Sequence, residues 1–196
     1  MSNDLLKQAK AGLRQRLKAA LGTISASDCR ARSALITSRL WALPEVQTAR
    51  SVFIFVSNGP EVHTHDLIDR LVAAGKSVFV PKIVGKTRMI ASPFHGWVHL
   101  QPAQLGILTP ISDDAHEGPV DLVVTPGLGF SVQGQRIGYG AGYYDRWFAG
   151  HSVGARIAVA FETQIVDSIP TAETDLPVDK IVTEDRLIIP SNLARD

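Results

Sequence analysis

Residues 121–146 read DLVVTPGLGFSVQGQRIGYGAGYYDR, and the order of residue types in that stretch decides the architecture. DLVVT is an apolar, β-branched run without polar alternation, the mark of a strand covered on both faces. PGLGF turns the chain. Gly138, Gly140 and Gly142 then alternate just before a helical segment expected over about residues 142–149, and RIAVAF at 156–161 supplies the next buried strand. Strand, loop, helix, strand is the repeating unit of a parallel α/β sheet, because parallel neighbours need a long crossover between them.

The same unit recurs upstream. SVFIFV at 51–56 is a second run with no polar alternation, residues 64–74 read as a helix closed by Gly75, and SVFV at 77–80 is a strand ended by Pro81. Two helices precede it. Leu6, Ala9, Leu13, Leu17 and Ala20 recur at helical spacing while Lys7, Lys10, Arg14 and Lys18 follow another face. A second helix, capped by Ser25 or Ser27, runs toward Leu43 and stops before Pro44. Residues 82–119 are broken by Pro93, Pro102, Pro110 and Pro119 into short strands and loops, and the tail offers edge-strand candidates at 180–182 and 187–189. The expectation is a single α/β domain over residues 1–196, a Rossmann-like three-layer sandwich with a mainly parallel central sheet and helices on both faces. Its site belongs at the carboxyl ends of the strands.

Composition narrows the function classes. The chain has 196 residues, 20 Lys and Arg against 19 Asp and Glu, and 45% hydrophobic residues. A net charge of +1 creates no global field for nucleic acid or an anionic membrane. A single cysteine, Cys29, cannot form an intramolecular bridge. No run of about 18 apolar residues suggests a membrane span, and the amphipathic start lacks the apolar core of a secretory signal. A cytoplasmic monomer that binds neither nucleic acid nor membrane is expected.

The glycine loop is the densest chemical signal. Alternating glycines let an anion approach backbone N–H groups, and a helix beginning at the loop's end adds its positive dipole end. Arg136 and Arg146 flank the loop with guanidinium forks that match phosphate oxygens. The spacing is GxGxG, so it is neither a Walker A loop nor the dinucleotide fingerprint. Taken alone, it equally suits a tight hairpin turn.

Residues 121–146 closely resemble the signature of the 5-formyltetrahydrofolate cyclo-ligase family. Three further segments match in order: KAGLR at 10–14, SNGPEVHT at 57–64, and the tail FETQIV, IP and TDLPVDKIVTE. The resemblance implies a ligase that converts 5-formyltetrahydrofolate to 5,10-methenyltetrahydrofolate, using ATP and Mg²⁺ and releasing ADP and phosphate. It further implies that Lys10, Arg14 and the run Arg136, Ile137, Gly138, Tyr139, Gly140, Ala141, Gly142, Tyr143 and Tyr144 contact ATP. Val56, Glu61 and residues 139–143 would contact the folate, Asp145 and Asp175 would hold Mg²⁺, and Arg136, Tyr143 and Arg146 would act in catalysis. A catalytically silent nucleotide- or folate-binding relative is the alternative, as is a different sugar-phosphate or nucleotide enzyme on a similar sheet.

This chain departs from the family pattern in places. Tyr139 and Ala141 stand where many relatives carry a basic residue, which leaves Arg136, Arg146, Lys82 or Lys86 to supply the missing charge. Gly106 to Pro110 lacks the acid of a GIxEP-like segment, and Thr174 stands where some relatives have His; neither is assigned a role. His63 and His65 lack a third metal ligand and read as loop histidines. Cys29 reads as an inert thiol. Trp41, Trp97 and Trp147 read as core or pocket walls.

Overall fold

The computed structural model describes residues 3–85, 87–103, 106–172 and 174–191. Helix α1 spans Asn3–Leu21 and α2 spans Ala26–Trp41, with the Ser25 hydroxyl accepting the Asp28 N–H as its cap at 3.1 Å. Pro44 does more than stop that helix. It opens a short third one, α3 (Pro44–Thr48), because proline's fixed φ and missing donor suit a first helical turn.

The strands of the central sheet are β1 (Ser51–Ile54), β2 (Ser77–Val84), β3 (Arg88–Pro93), β6 (Val120–Thr125), β9 (Val153–Val159), β11 (Lys180–Val182) and β12 (Leu187–Ile188). Between them in sequence lie a small hairpin of β4 (Leu100–Pro102) and β5 (Leu108–Pro110), a second small sheet built from β7 (Gly129–Ser131), β8 (Arg136–Ile137) and β10 (Ile165–Val166), and helices α4 (His65–Ala73) and α5 (Tyr143–Gly150). The central order is β12-β11-β9-β6-β1-β2-β3. Its inner pairs are parallel, and antiparallel strands β3 and β12 close the edges. Of the two tail segments, β11 is an inner strand and β12 the edge.

Strand β2 runs past Pro81. Its pairing with β1 ends at Phe79, while residues 79–84 pair with β3. Pro81 therefore has a neighbour on one side only, where its missing N–H costs no ladder bond.

Alternation along each inner strand sorts the core into two layers. Val52 and Ile54 of β1, Val78 and Val80 of β2, and Leu122 and Val124 of β6 pack with Leu67, Ile68 and Leu71 of α4 and with apolar residues of α1–α3. Phe53, Phe79 and Val123 face the other way, against Trp147 and Phe148 of α5. Four helices thus join one layer and α5 lies on the other. The chain leaves β1 for β2 on one side and leaves β6 for β9 on the other, so β1 and β6 are neighbours whose connections diverge. Such a divergence opens a crevice beyond the strands' carboxyl ends.

Candidate active site

The crevice is occupied by named residues from five parts of the chain. Phe55, Pro60, Glu61 and Val62 come from the segment after β1, Pro126 and Gly127 from the turn after β6, Val159 and Gln164 from the end of β9 and beyond, Leu21 from α1, and Tyr139 from the glycine loop. Little space remains between them, about 10 Å³, enough for one water. The Gln164 amide is committed to the fold: it donates to Gly127 O at 2.8 Å and accepts from Phe161 N–H at 2.8 Å. Gly127 has to be glycine, since a Cβ there would lie 2.5 Å from the ring of buried Phe130.

Glu61 and Tyr139 join across this crevice. The Tyr139 hydroxyl donates to one Glu61 carboxylate oxygen at 3.2 Å, and Asn58 N–H donates to the other at 2.9 Å. Burial pushes the Glu61 carboxyl above the ordinary carboxylate range; the two donors pull the other way and do not cancel it. Burial first, and the Glu61 charge second, push the Tyr139 phenol up, so it remains a donor.

The loop holding Tyr139 hangs from β8. Gly140 has φ +113° and Gly142 φ +65°, both in the left-handed region, and Gly142 occupies the cap position of α5. Arg14 from α1 braces the loop from below: its Nε donates to Gly138 O at 2.9 Å, and its guanidinium lies 3.5 Å from where a Gly140 side chain would begin. One helical turn earlier, Lys10 makes an ion pair and hydrogen bond with Asp175. The spacing of four residues puts both cations on one face of α1.

Arg136, almost fully buried, pairs with Asp145 at 2.6 Å. Ile137 beside it is core. Tyr144 stacks on Phe53 at 5.9 Å between centroids, and burial pushes its phenol well above the usual range. Its hydroxyl and Arg136 Nε are buried without a hydrogen-bond partner among the described residues, and such orphaned groups call for an explanation. Tyr143, Gly140 and Ala141 lie at least partly open to solvent. Arg146 lies between the end of the loop and Thr87: Nη1 lies 2.9 Å from where a Gly142 side chain would begin, Nε and Nη2 donate to Thr87 O at 3.0 and 2.9 Å, and its guanidinium lies 5.2 Å from the Tyr143 ring centroid. It lines a separate cavity of about 310 Å³ between α5 and β3, together with His116, Glu117 and His151. Val56 is packed in the core; at that level Phe55 forms the crevice wall.

The charge candidates outside the loop are otherwise engaged. Lys82 donates to Ile111 O and Ser112 O at 2.8 and 2.9 Å and pairs with Asp113, while Lys86 lies outside the described residues. His65 stacks on Trp97 and hydrogen-bonds Ser57, and His63 is exposed. Cys29 is buried with its thiol pushed up by that burial. Trp147 is core, Trp97 half-buried, and Trp41 stacks under Arg70 at 3.8 Å.

The sequence profile of the 5-formyltetrahydrofolate cyclo-ligase family matches residues 6–184. The chain belongs to this family. It is 31% identical to the mouse 5-formyltetrahydrofolate cyclo-ligase over 202 residues, covering 94% of this chain and 98% of that one. It is 30% identical to the Escherichia coli K12 protein of the same name over 157 residues, covering 76% and 86%. The solved 5,10-methenyltetrahydrofolate synthetase of Aquifex aeolicus superposes with a TM-score of 0.82 at 28% identity, covering 95% of each chain.

Within this cyclo-ligase fold, sequence reasoning missed Leu21, Phe55, Gln164 and Thr87. The first three look like ordinary core residues in a linear reading. The adjacent motifs SNGPE and PGLGF, each following a buried strand, were the available signal for the crevice walls. Nothing in the sequence pointed to the Thr87 carbonyl.

Proposed function

We propose that the protein is an ATP- and Mg²⁺-dependent 5-formyltetrahydrofolate cyclo-ligase that forms 5,10-methenyltetrahydrofolate, ADP and phosphate. The observation that carries this reading is the meeting of Tyr139, from the glycine loop, with Glu61, from the segment after β1, at the divergence of β1 and β6. A nucleotide on the loop and a ring near Glu61 would then be neighbours, which is what phosphoryl transfer between them requires.

The chemistry explains why two substrates must meet. A formamide oxygen is a poor leaving group. Transfer of the γ-phosphoryl group to it makes a phosphate ester; N10 then attacks the formyl carbon, loses its proton, and the carbon–oxygen bond breaks as phosphate departs. Lys10 and Arg14 hold the polyphosphate, and the loop N–H groups and the start of α5 cradle it. Arg136, fixed by Asp145, offsets charge developing on the transferred group. Arg146 reaches that group on leaving Thr87 O, and Tyr143 packs beside it. The Glu61 carboxylate accepts N–H donors of the pterin, which enters as Tyr139 moves off it, since the closed crevice admits only a water.

The donor set suits Mg²⁺. Asp145 and Asp175 each pair with a cation through one oxygen and keep the other without a hydrogen-bond partner among the described residues. No three His, Cys, Asp or Glu side chains gather there among the described residues, so the ion would be held by these carboxylates together with phosphate oxygens and water, as Mg²⁺ favours. When bound it neutralises polyphosphate charge.

The test is direct. Purified protein given 5-formyltetrahydrofolate, ATP and Mg²⁺ forms a methenyl product absorbing in the near ultraviolet, and omission of ATP abolishes it. Asp145→Asn, checked for folding by circular dichroism, loses turnover. Bound ligands without product would leave the silent binder standing, and wild-type turnover in the variant would defeat the assignment of Asp145.

A further inference from the structure

The loop between Gly138 and Gly142 carries no charged residue, and two of the cations around it are paired with carboxylates. Lys10 is paired with Asp175 and Arg136 with Asp145, while Arg14 and Arg146 are held by the carbonyls of Gly138 and Thr87 and keep their charge. A nucleotide triphosphate brings three to four negative charges to this spot, so each cation within reach that no carboxylate neutralises adds to how well they are met.

Lys18 is one such cation, beside Arg14 and Arg146, which donate only to backbone carbonyls. It continues the row of Lys10 and Arg14 on α1 at the same four-residue spacing, and both earlier members touch the site, one at Asp175 and one at Gly138 O. Its ammonium lies 5.9 Å from the centroid of the Tyr139 ring, within cation–π range of the middle of the loop. Among the described residues it makes no ion pair, so its charge is uncommitted. The ring steers it as a carboxylate would, but without neutralising it.

We infer that Lys18 is a further nucleotide-binding residue, its ammonium supplying to the phosphate chain the positive charge that the loop itself lacks. The inference rests on the proposed ATP-dependent reaction and adds a residue to it. Tyr139 then has two neighbours with separate duties: Glu61 on its hydroxyl, toward the crevice, and Lys18 at its ring, toward the nucleotide.

Calorimetric titration of the full chain with ATP and with AMP tests this. Lys18→Gln weakens ATP binding roughly fivefold at low salt, the scale of one partly exposed charge contact, and narrows that gap at about 0.5 M salt. AMP, with one phosphate, changes by less than about twofold, and Lys18→Arg binds ATP like the wild type. Arg16→Gln, the same charge loss on the far side of α1, has no effect. Unchanged ATP binding in Lys18→Gln, equal weakening of ATP and AMP, or an equal loss in Arg16→Gln would each overturn the inference while the cyclo-ligase reading stands. A wild-type protein that binds no ATP would instead overturn that reading itself.

Discussion

Glu61 shows how a single buried carboxylate can cost stability at the proposed folate subsite. Burial raises its pKa and the Asn58 and Tyr139 donors only partly offset this. A carboxyl whose folded pKa exceeds its unfolded value, ordinarily about 4.3, contributes fully below that value and loses the contribution as pH rises through the folded pKa. Glu61→Gln therefore melts higher than the wild type at pH 7 and alike at pH 4, with turnover lost; equal melting at both would contradict a burial-raised pKa. Tyr139→Phe removes a donor that favours the charged form, so the Glu61 pKa rises further. The acidic limb of kcat/KM, which reports the free enzyme, moves to higher pH, at a stability cost of about 1 kcal/mol. At this scale the chain showed which residues to watch, Glu61 and Tyr139 among them, but gave no sign of their contact across 78 positions. Nor could it show that Arg146 lies against Thr87, since a guanidinium's direction depends on what packs around it.

Among the elements, β1 and β6 define the site, and they are tied at the end away from it. Asp121 accepts Arg50 N–H and Ser51 N–H at 2.7 and 2.9 Å, while its own N–H donates to the Ser51 hydroxyl at 2.9 Å. Those backbone donors hold its carboxyl below the usual range, so the clip stabilises above the ordinary carboxylate pKa and fails as pH falls through the lowered one. Asp121→Ala should cost about 1–2 kcal/mol in urea unfolding at neutral pH, and less in acid, with KM for both substrates unchanged. A raised KM would mean the clip reaches the crevice. The uninterrupted apolar runs of β1 and β6 were readable because strands covered on both faces have no polar side. The extension of β2 through Pro81 and the start of α3 at Pro44 were not. Proline blocks an element only where its N–H is needed, and that depends on neighbours distant in sequence.

Across the whole molecule, α1 brings Arg14 and Lys18 to a loop more than a hundred residues later, and brings Lys10 to Asp175 near the other end of the chain. Nucleotide binding should therefore brace the molecule's two ends against its middle. At a hundred times its Kd, ATP with Mg²⁺ adds about 2.7 kcal/mol, a rise of roughly 5–10 °C in melting temperature at this size, and chelation with EDTA removes most of it. No shift with ATP and Mg²⁺ would argue against a nucleotide site here. The sequence by itself determined the two opening helices, the two strand–helix–strand units, the mainly parallel sheet and the glycine loop, because these follow from periodicity, turn chemistry and a resemblance spread over nearly the full length. Only the tertiary structure decided which side chains meet: Tyr139 with Glu61, Arg136 with Asp145, Lys18 beside the loop. Periodicity assigns a residue to a face of its own element. Whether a charge on that face finds a partner depends on how separate elements are set against one another by the core.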